Sequence, residues 1–203
     1  MQVQTQVAAG ASNASTTPGT LVNLRGGQLG DLVVSELNGR YYEQTYRKNK
    51  FSWANPSAVT PAATLAGTAP TTALYNPPGS TVNLVLIKVS AVFAAAPGVA
   101  VAIGLVAGFN AAIPTGITNG APVNNFIGGA VGQGKTATVI TLGTAPAQIL
   151  PLLAVDAVGA ISPPSVFVDV GGSIVIPPGG YVAINATAAC SIMGGFEWDE
   201  VPV

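Results

Sequence analysis

Proline and glycine punctuate this chain from end to end. There are 25 glycines and 16 prolines among 203 residues. Proline removes an amide donor and clashes with the preceding helical turn, and glycine weakens any helix it enters. Long helices are therefore excluded, and short elements joined by turns remain. Pro-Pro-Gly occurs at Pro77-Pro78-Gly79 and again at Pro177-Pro178-Gly179, and "SPPS" (162–165) marks a further turn. Between the turns lie short apolar runs: "TVNLVLIKVSAVF" (81–93), "GVAVAIGLVAGF" (98–109), "TATVITLG" (136–143), "AQILPLLAV" (147–155), "SVFVDV" (165–170), "GSIVIP" (172–177), "GYVAINATA" (180–188) and "CSIMGGFEW" (190–198). Many short strands with regular turn signals predict an all-β fold, an antiparallel β-sandwich of jelly-roll-like kind. Within 81–93, alternation puts Val85, Ile87, Val89, Ala91 and Phe93 on one face and Leu84, Leu86, Lys88 and Ser90 on the other. Pro151 argues against a helix over 147–155.

Residues 91–109 carry neither charge nor amide and meet the length criterion for a membrane span. Pro97-Gly98 falls near the middle, and the preceding segment alternates as a strand. Two strands around a turn are the expectation.

Hydrophobic residues make up 49% and charged residues 7%, where soluble domains usually carry about 25% charged. So little charge suits a subunit whose surface is largely covered by symmetric neighbours, and a homotrimer is expected. The net charge of −1 supplies no basic field for nucleic acid or an anionic membrane, so neither is an expected partner. There is no histidine and a single cysteine, Cys190. Ser–His and Cys–His catalysis and cysteine-rich zinc sites are thereby excluded. No enzyme activity, cofactor or metal is expected. The opening "MQVQTQVAAGASNAS" lacks the basic and apolar regions of a signal peptide.

One motif runs against that reading. Gly129, Gly134, Lys135 and Thr136 fit G-x-x-x-x-G-K-T, the phosphate loop. That loop requires a strand before it and a helix after it, so that backbone amides and the helix N-terminus surround the phosphate. Here a polar Gly-rich segment precedes it, and β-branched residues interrupted by Gly143 and Pro146 follow. "LLAVD" (152–156) resembles the magnesium-holding strand, but no helix separates the two. A flexible loop leading into a strand, with Lys135 in solvent, is the expectation.

Glu197, Asp199 and Glu200 cluster in "FEWDEVPV", and an extended backbone puts Glu197 and Asp199 on one face. Such a pair could serve as acid and base or hold a hard cation. A solvated acidic edge that blunts a terminal strand is the expectation. Trp53, Trp198, Phe167 and Phe196 could form a sugar-stacking surface, but sandwich cores and subunit interfaces use aromatics more often.

Charge is unevenly distributed. Residues 1–20 carry none, and then Arg25, Asp31, Glu36, Arg40, Glu43, Arg47, Lys48 and Lys50 follow together with Tyr41, Tyr42 and Tyr46. This predicts an extended N-terminal arm and docking segment over 1–55 and a β-sandwich body over 56–203. Arg40, Tyr41, Tyr42, Tyr46, Arg47 and Lys48 are the candidate protein-interface residues, because Tyr and Arg bring large contact area at modest entropic cost. The alternative is that 30–37 and 40–46 are ordinary strands of the body.

"GQLGDLVVSELNGRYYEQTYRKNKFSWAN" (27–55), "PPGSTVNLVLIKVSAVFAAAPG" (77–98) and "IPPGGYVAINATAACSIMGGFEWDEVP" (176–202) together resemble a group of tailed-bacteriophage virion structural proteins. The resemblance implies a β-sandwich subunit, often trimeric, that decorates or cements a capsid. It implies no reaction and transfers no catalytic residue. The function so implied is a capsid decoration (cement) subunit on the virion surface that binds the major capsid protein lattice. The alternative is a tail, baseplate or fibre component that binds a host receptor.

Overall fold

The computed structural model describes residues 40–61, 63–70, 72–110, 114, 119–138, 140–157 and 165–203. Residues 1–39 of the arm and docking segment expected over 1–55, and with them the strand alternative over 30–37, lie outside these residues. Contacts divide the chain into compact units between Tyr42 and Glu43.

The second unit is a β-sandwich. One sheet has the order β6-β1-β11-β3-β9 and the other β5-β7-β2-β10-β4-β8. The first is built from β6 (Val123–Asn124), β1 (Lys50–Ala54), β11 (Ile192–Pro202), β3 (Val82–Phe93) and β9 (Ser165–Ile176). The second is built from β5 (Asn119–Gly120), β7 (Lys135–Ala137), β2 (Ala73–Tyr75), β10 (Gly180–Ala186), β4 (Val101–Phe109) and β8 (Ala147–Val155). Every pairing is antiparallel. Omitting the short β5, β6 and β7, the chain crosses between sheets at every connection except β4 to β8. That is the jelly-roll order. Among the described residues no helix is long and apolar enough to cross a membrane, and 91–109 forms the end of β3, a turn and β4.

Two apolar clusters result. Between the sheets lie Phe51, Trp53, Leu84, Leu86, Ile184 and Trp198, among others, with Phe51 stacked on Trp198 at 6.0 Å between ring centroids. A smaller cluster covers the outer face of the six-stranded sheet. There Tyr75, Val106 and Tyr181 pack under Ile140 and Leu142, and the Leu142 amide bonds Thr68 O at 2.7 Å. The strand expected over 136–143 is accordingly shortened to Lys135–Ala137, and Ile140 and Leu142 beyond it serve as a cover. β10 is buried along its whole length, as a strand between two apolar layers must be.

Three expectations need correction. The body begins before residue 56, because β1 pairs with β11 from Lys50↔Asp199 to Ala54↔Gly195 and carries Phe51 and Trp53 into the core. Next, the faces of β3 exchange partway along. Lys88 and Leu86 pair with consecutive residues of β11, leaving Ile87 unmatched, and the register with β9 shifts at the same place. This bulge inverts the alternation, so Leu84 and Leu86 join Val89, Ala91 and Phe93 in the core while Val85 lies outside it. Finally, the strands expected over 165–170 and 172–177 are one strand, β9, bent at Gly171 and Gly172 with φ of 58° and 84°. Glycine takes that left-handed backbone without steric cost. Pro151 sits in β8, an edge strand of its sheet, where proline is tolerated.

Candidate docking surface

Residues 40–46 form a short helix and its approach, not a strand. Helix α1 spans Tyr42–Tyr46, and the Arg40 guanidinium lies 5.2 Å from the centre of the Tyr41 ring. The helix ends in a Schellman turn: Asn49 N–H bonds Gln44 O at 3.1 Å and Lys48 N–H bonds Thr45 O at 2.9 Å. Lys48 occupies the left-handed position of that turn with φ 65°, where glycine is usual. β1 starts two residues later.

Lys48 is held against a second segment that sequence reasoning passed over as a Gly-rich loop. Asn124 Nδ2 donates to Lys48 O at 2.8 Å and to Ala130 O at 3.2 Å, while Asn124 Oδ1 accepts from Phe126 N–H at 2.9 Å. Gly129 N–H bonds Phe126 O at 2.7 Å. Asn125 joins the same frame, accepting from Ser52 Oγ at 2.6 Å and donating its amide to Lys50 O at 2.9 Å. The turn so braced presents apolar side chains to solvent: Ile127 is 82% exposed, Val131 76% and Phe126 37%. Lys48 Nζ lies 4.9 Å from the centre of the Phe126 ring, a cation–π distance. A braced turn carrying exposed isoleucine, valine and phenylalanine beside a cation has the features that favour a preorganised contact, since bracing reduces the entropy a contact has to remove. Of the six candidate interface residues, Lys48 is the one placed on this turn. Tyr46 and Arg47 directly precede it and are exposed, and Arg40, Tyr41 and Tyr42 lie at and before the helix start. The turn's only sequence signal was "NNFIGG" (124–129), apolar residues flanked by asparagine and glycine.

The phosphate-loop stretch is occupied by the chain's own carboxylate. Glu200 Oε2 accepts from Gln133 N–H at 3.0 Å, and Glu200 Oε1 accepts from Gly134 N–H at 2.8 Å. The amides that would meet a phosphate thus meet a glutamate, and Lys135 opens a strand, not a helix.

The acidic cluster divides across β11. Glu197 and Asp199 share a face, as expected, but the edge is not a solvated one. Lys50 Nζ lies 2.8 Å from Glu197 Oε1 and 3.5 Å from Asp199 Oδ1, and its side chain is 2% exposed. Lys88 Nζ reaches Glu197 Oε2 at 3.2 Å. A lysine ammonium therefore stands where a cation would be held. Burial pushes the Asp199 carboxyl above the ordinary range, Lys50 opposes this, and Glu197 adds to it. Lys50 was counted in the docking strip by sequence; no local signal marks it as the partner of residues nearly 150 positions away. Of the four aromatics, Trp53, Trp198 and Phe196 are in the core, and Phe167 is exposed.

Compared with protein-family models, with curated proteins and with solved structures, the chain matches none.

Proposed function

We propose that this protein is a non-enzymatic virion structural protein, a capsid decoration (cement) subunit that self-associates, as a homotrimer, and binds the major capsid protein lattice through the segment leading into β1. The observation that carries the reading is the braced turn at Lys48, Phe126, Ile127 and Val131. It offers an apolar contact with a cation beside it, next in sequence to the helix that ends at Tyr46 and to the Arg47 that follows it. Such a surface suits a protein partner with an acidic rim around an apolar pocket. The sequence resemblance supplies the virion setting. The test uses particles stripped of this chain and adds back purified protein. Ile127→Asp is expected to lower the number of bound copies at least tenfold while leaving the melting temperature within a degree or two, because the side chain is exposed. Equal binding by the variant and the natural chain would refute the docking assignment.

A further inference from the structure

The two outer faces of the sandwich are treated differently. That of the six-stranded sheet is covered over β2, β10 and β4 by the chain's own residues, with Ile140 and Leu142 closed over Tyr75, Val106 and Tyr181. That of the five-stranded sheet carries an open trough of about 580 Å³. The register places Ala54, Gly195, Ser90 and Phe167 in one row across four strands, so three small residues make a floor and Phe167, 79% exposed, stands at the β9 end. Val123 flanks the β6 end. The floor is held low: a Cβ on Gly195 would come within 2.9 Å of Ser90 Oγ and 3.0 Å of Trp53 O. The adjacent row is Val123, Ser52, Glu197, Lys88 and Asp169.

We infer that this trough is the self-association surface, in which Phe167 of one copy sits over the Ala54–Ser90–Gly195 floor of the next. The inference rests on the self-association in the reading above and names its contact. Three observations select a second copy as occupant. The charges on this face already answer one another, with Lys50 and Lys88 on Glu197, Lys50 on Asp199 and Asp169 Oδ1 on the Gly171 amide at 2.8 Å. A face so neutralised is matched by a nearly uncharged partner, and this chain, 7% charged, is one. Phe167 is a protruding aromatic and the recess is a hole of matching kind, so one chain supplies both knob and hole, and copies can join head to tail into a closed ring. The face also spans about 24 Å across five strands and about 20 Å along them. That is on the order of 500 Å² before relief, about three fifths of the roughly 800 Å² per partner of a standard interface, and side-chain relief adds to it.

The experiment measures molar mass by light scattering and dissociation by sedimentation on the full chain. The natural chain is expected to be oligomeric at micromolar concentration. Phe167→Asp is expected to weaken association about a hundredfold, and Ala54→Trp, which fills the trough from its exposed floor without entering the core, is expected to do the same. Melting curves establish that both variants are folded. Ile127→Asp serves as the control and keeps the oligomer. A monomeric natural chain would overturn the inference, as would oligomers unchanged in both variants. A monomer whose particle binding falls in Phe167→Asp would assign the trough to another virion protein instead. Failure of the capsid reading is separate, appearing as an intact oligomer that does not bind stripped particles.

Discussion

Lys48 holds a left-handed backbone conformation that costs an L-residue about 1 kcal/mol and a glycine nothing. The Schellman turn would form as well, or better, around glycine. Lys48→Gly is therefore expected to stabilise the fold by about 0.5–1 kcal/mol in urea denaturation while weakening binding to stripped particles about tenfold. Stability and binding moving in opposite directions would mark the lysine as retained for contact and not for folding; parallel losses would reverse that conclusion. Asp199 gives a second test at this scale. Its carboxyl is raised in the folded protein, chiefly by burial. Such a group adds stability below its unfolded value of about 3.9, and that contribution is lost as pH rises through the folded value. Relative to Asp199→Asn, the natural chain should gain stability as pH falls from 7 towards 4. Urea midpoints of both proteins across that range check the sign, and parallel curves would contradict it. Lys50 is the cation both acids share, and Lys50→Ala, which leaves Glu197 to Lys88 and Asp199 buried without it, is expected to cost about 3–5 kcal/mol.

At the scale of single elements, most strands were legible because turn chemistry is local. The Pro-Pro-Gly and Gly-rich boundaries bracket β3, β4, β8, β9, β10 and β11 to within a few residues. What could not be read is what depends on neighbours. The bulge at Ile87 exists only because β3 is aligned with β11 and β9 at once, and nothing in "VLIKVS" announces it. β1 looked like part of a charged docking strip because Lys50 is charged, but its charge is answered by β11 on the far side of the sequence. The docking turn escaped notice for a similar reason: Ile127 and Val131 sit in a Gly-rich loop whose rigidity comes from Asn124 bonding Lys48 and Ala130. Truncation separates the two views of β1. Removing residues 1–39 is expected to leave a β-rich chain that unfolds cooperatively. Removing 1–55 also takes Phe51, Trp53 and the neighbour of β11, and is expected to abolish cooperative unfolding. A folded 56–203 fragment, seen by near-ultraviolet circular dichroism, would show that β1 is dispensable.

For the molecule as a whole, the sandwich keeps its braced turn and its open trough on separate residues, Ile127 and Val131 against Phe167, Ala54 and Ser90, so the proposed lattice binding and the proposed self-association can be varied independently. The pairing of β1 with β11 bears on something else, the timing of assembly during synthesis. β6 offers β1 just two pairs, at Phe51 and Ser52, the full length of residues 50–54 is paired only at 195–199, and β11 itself lies between β1 and β3 at the middle of its sheet. A nascent chain cannot complete that sheet while Ile192–Pro202 is still within the ribosome. Its first strands must wait, with Phe51 and Trp53 short of their cover, until Ile192–Pro202 has emerged. Because sequence-distant pairings also slow closure, newly made chains should pass through a window of chaperone dependence that ends only after β11 emerges.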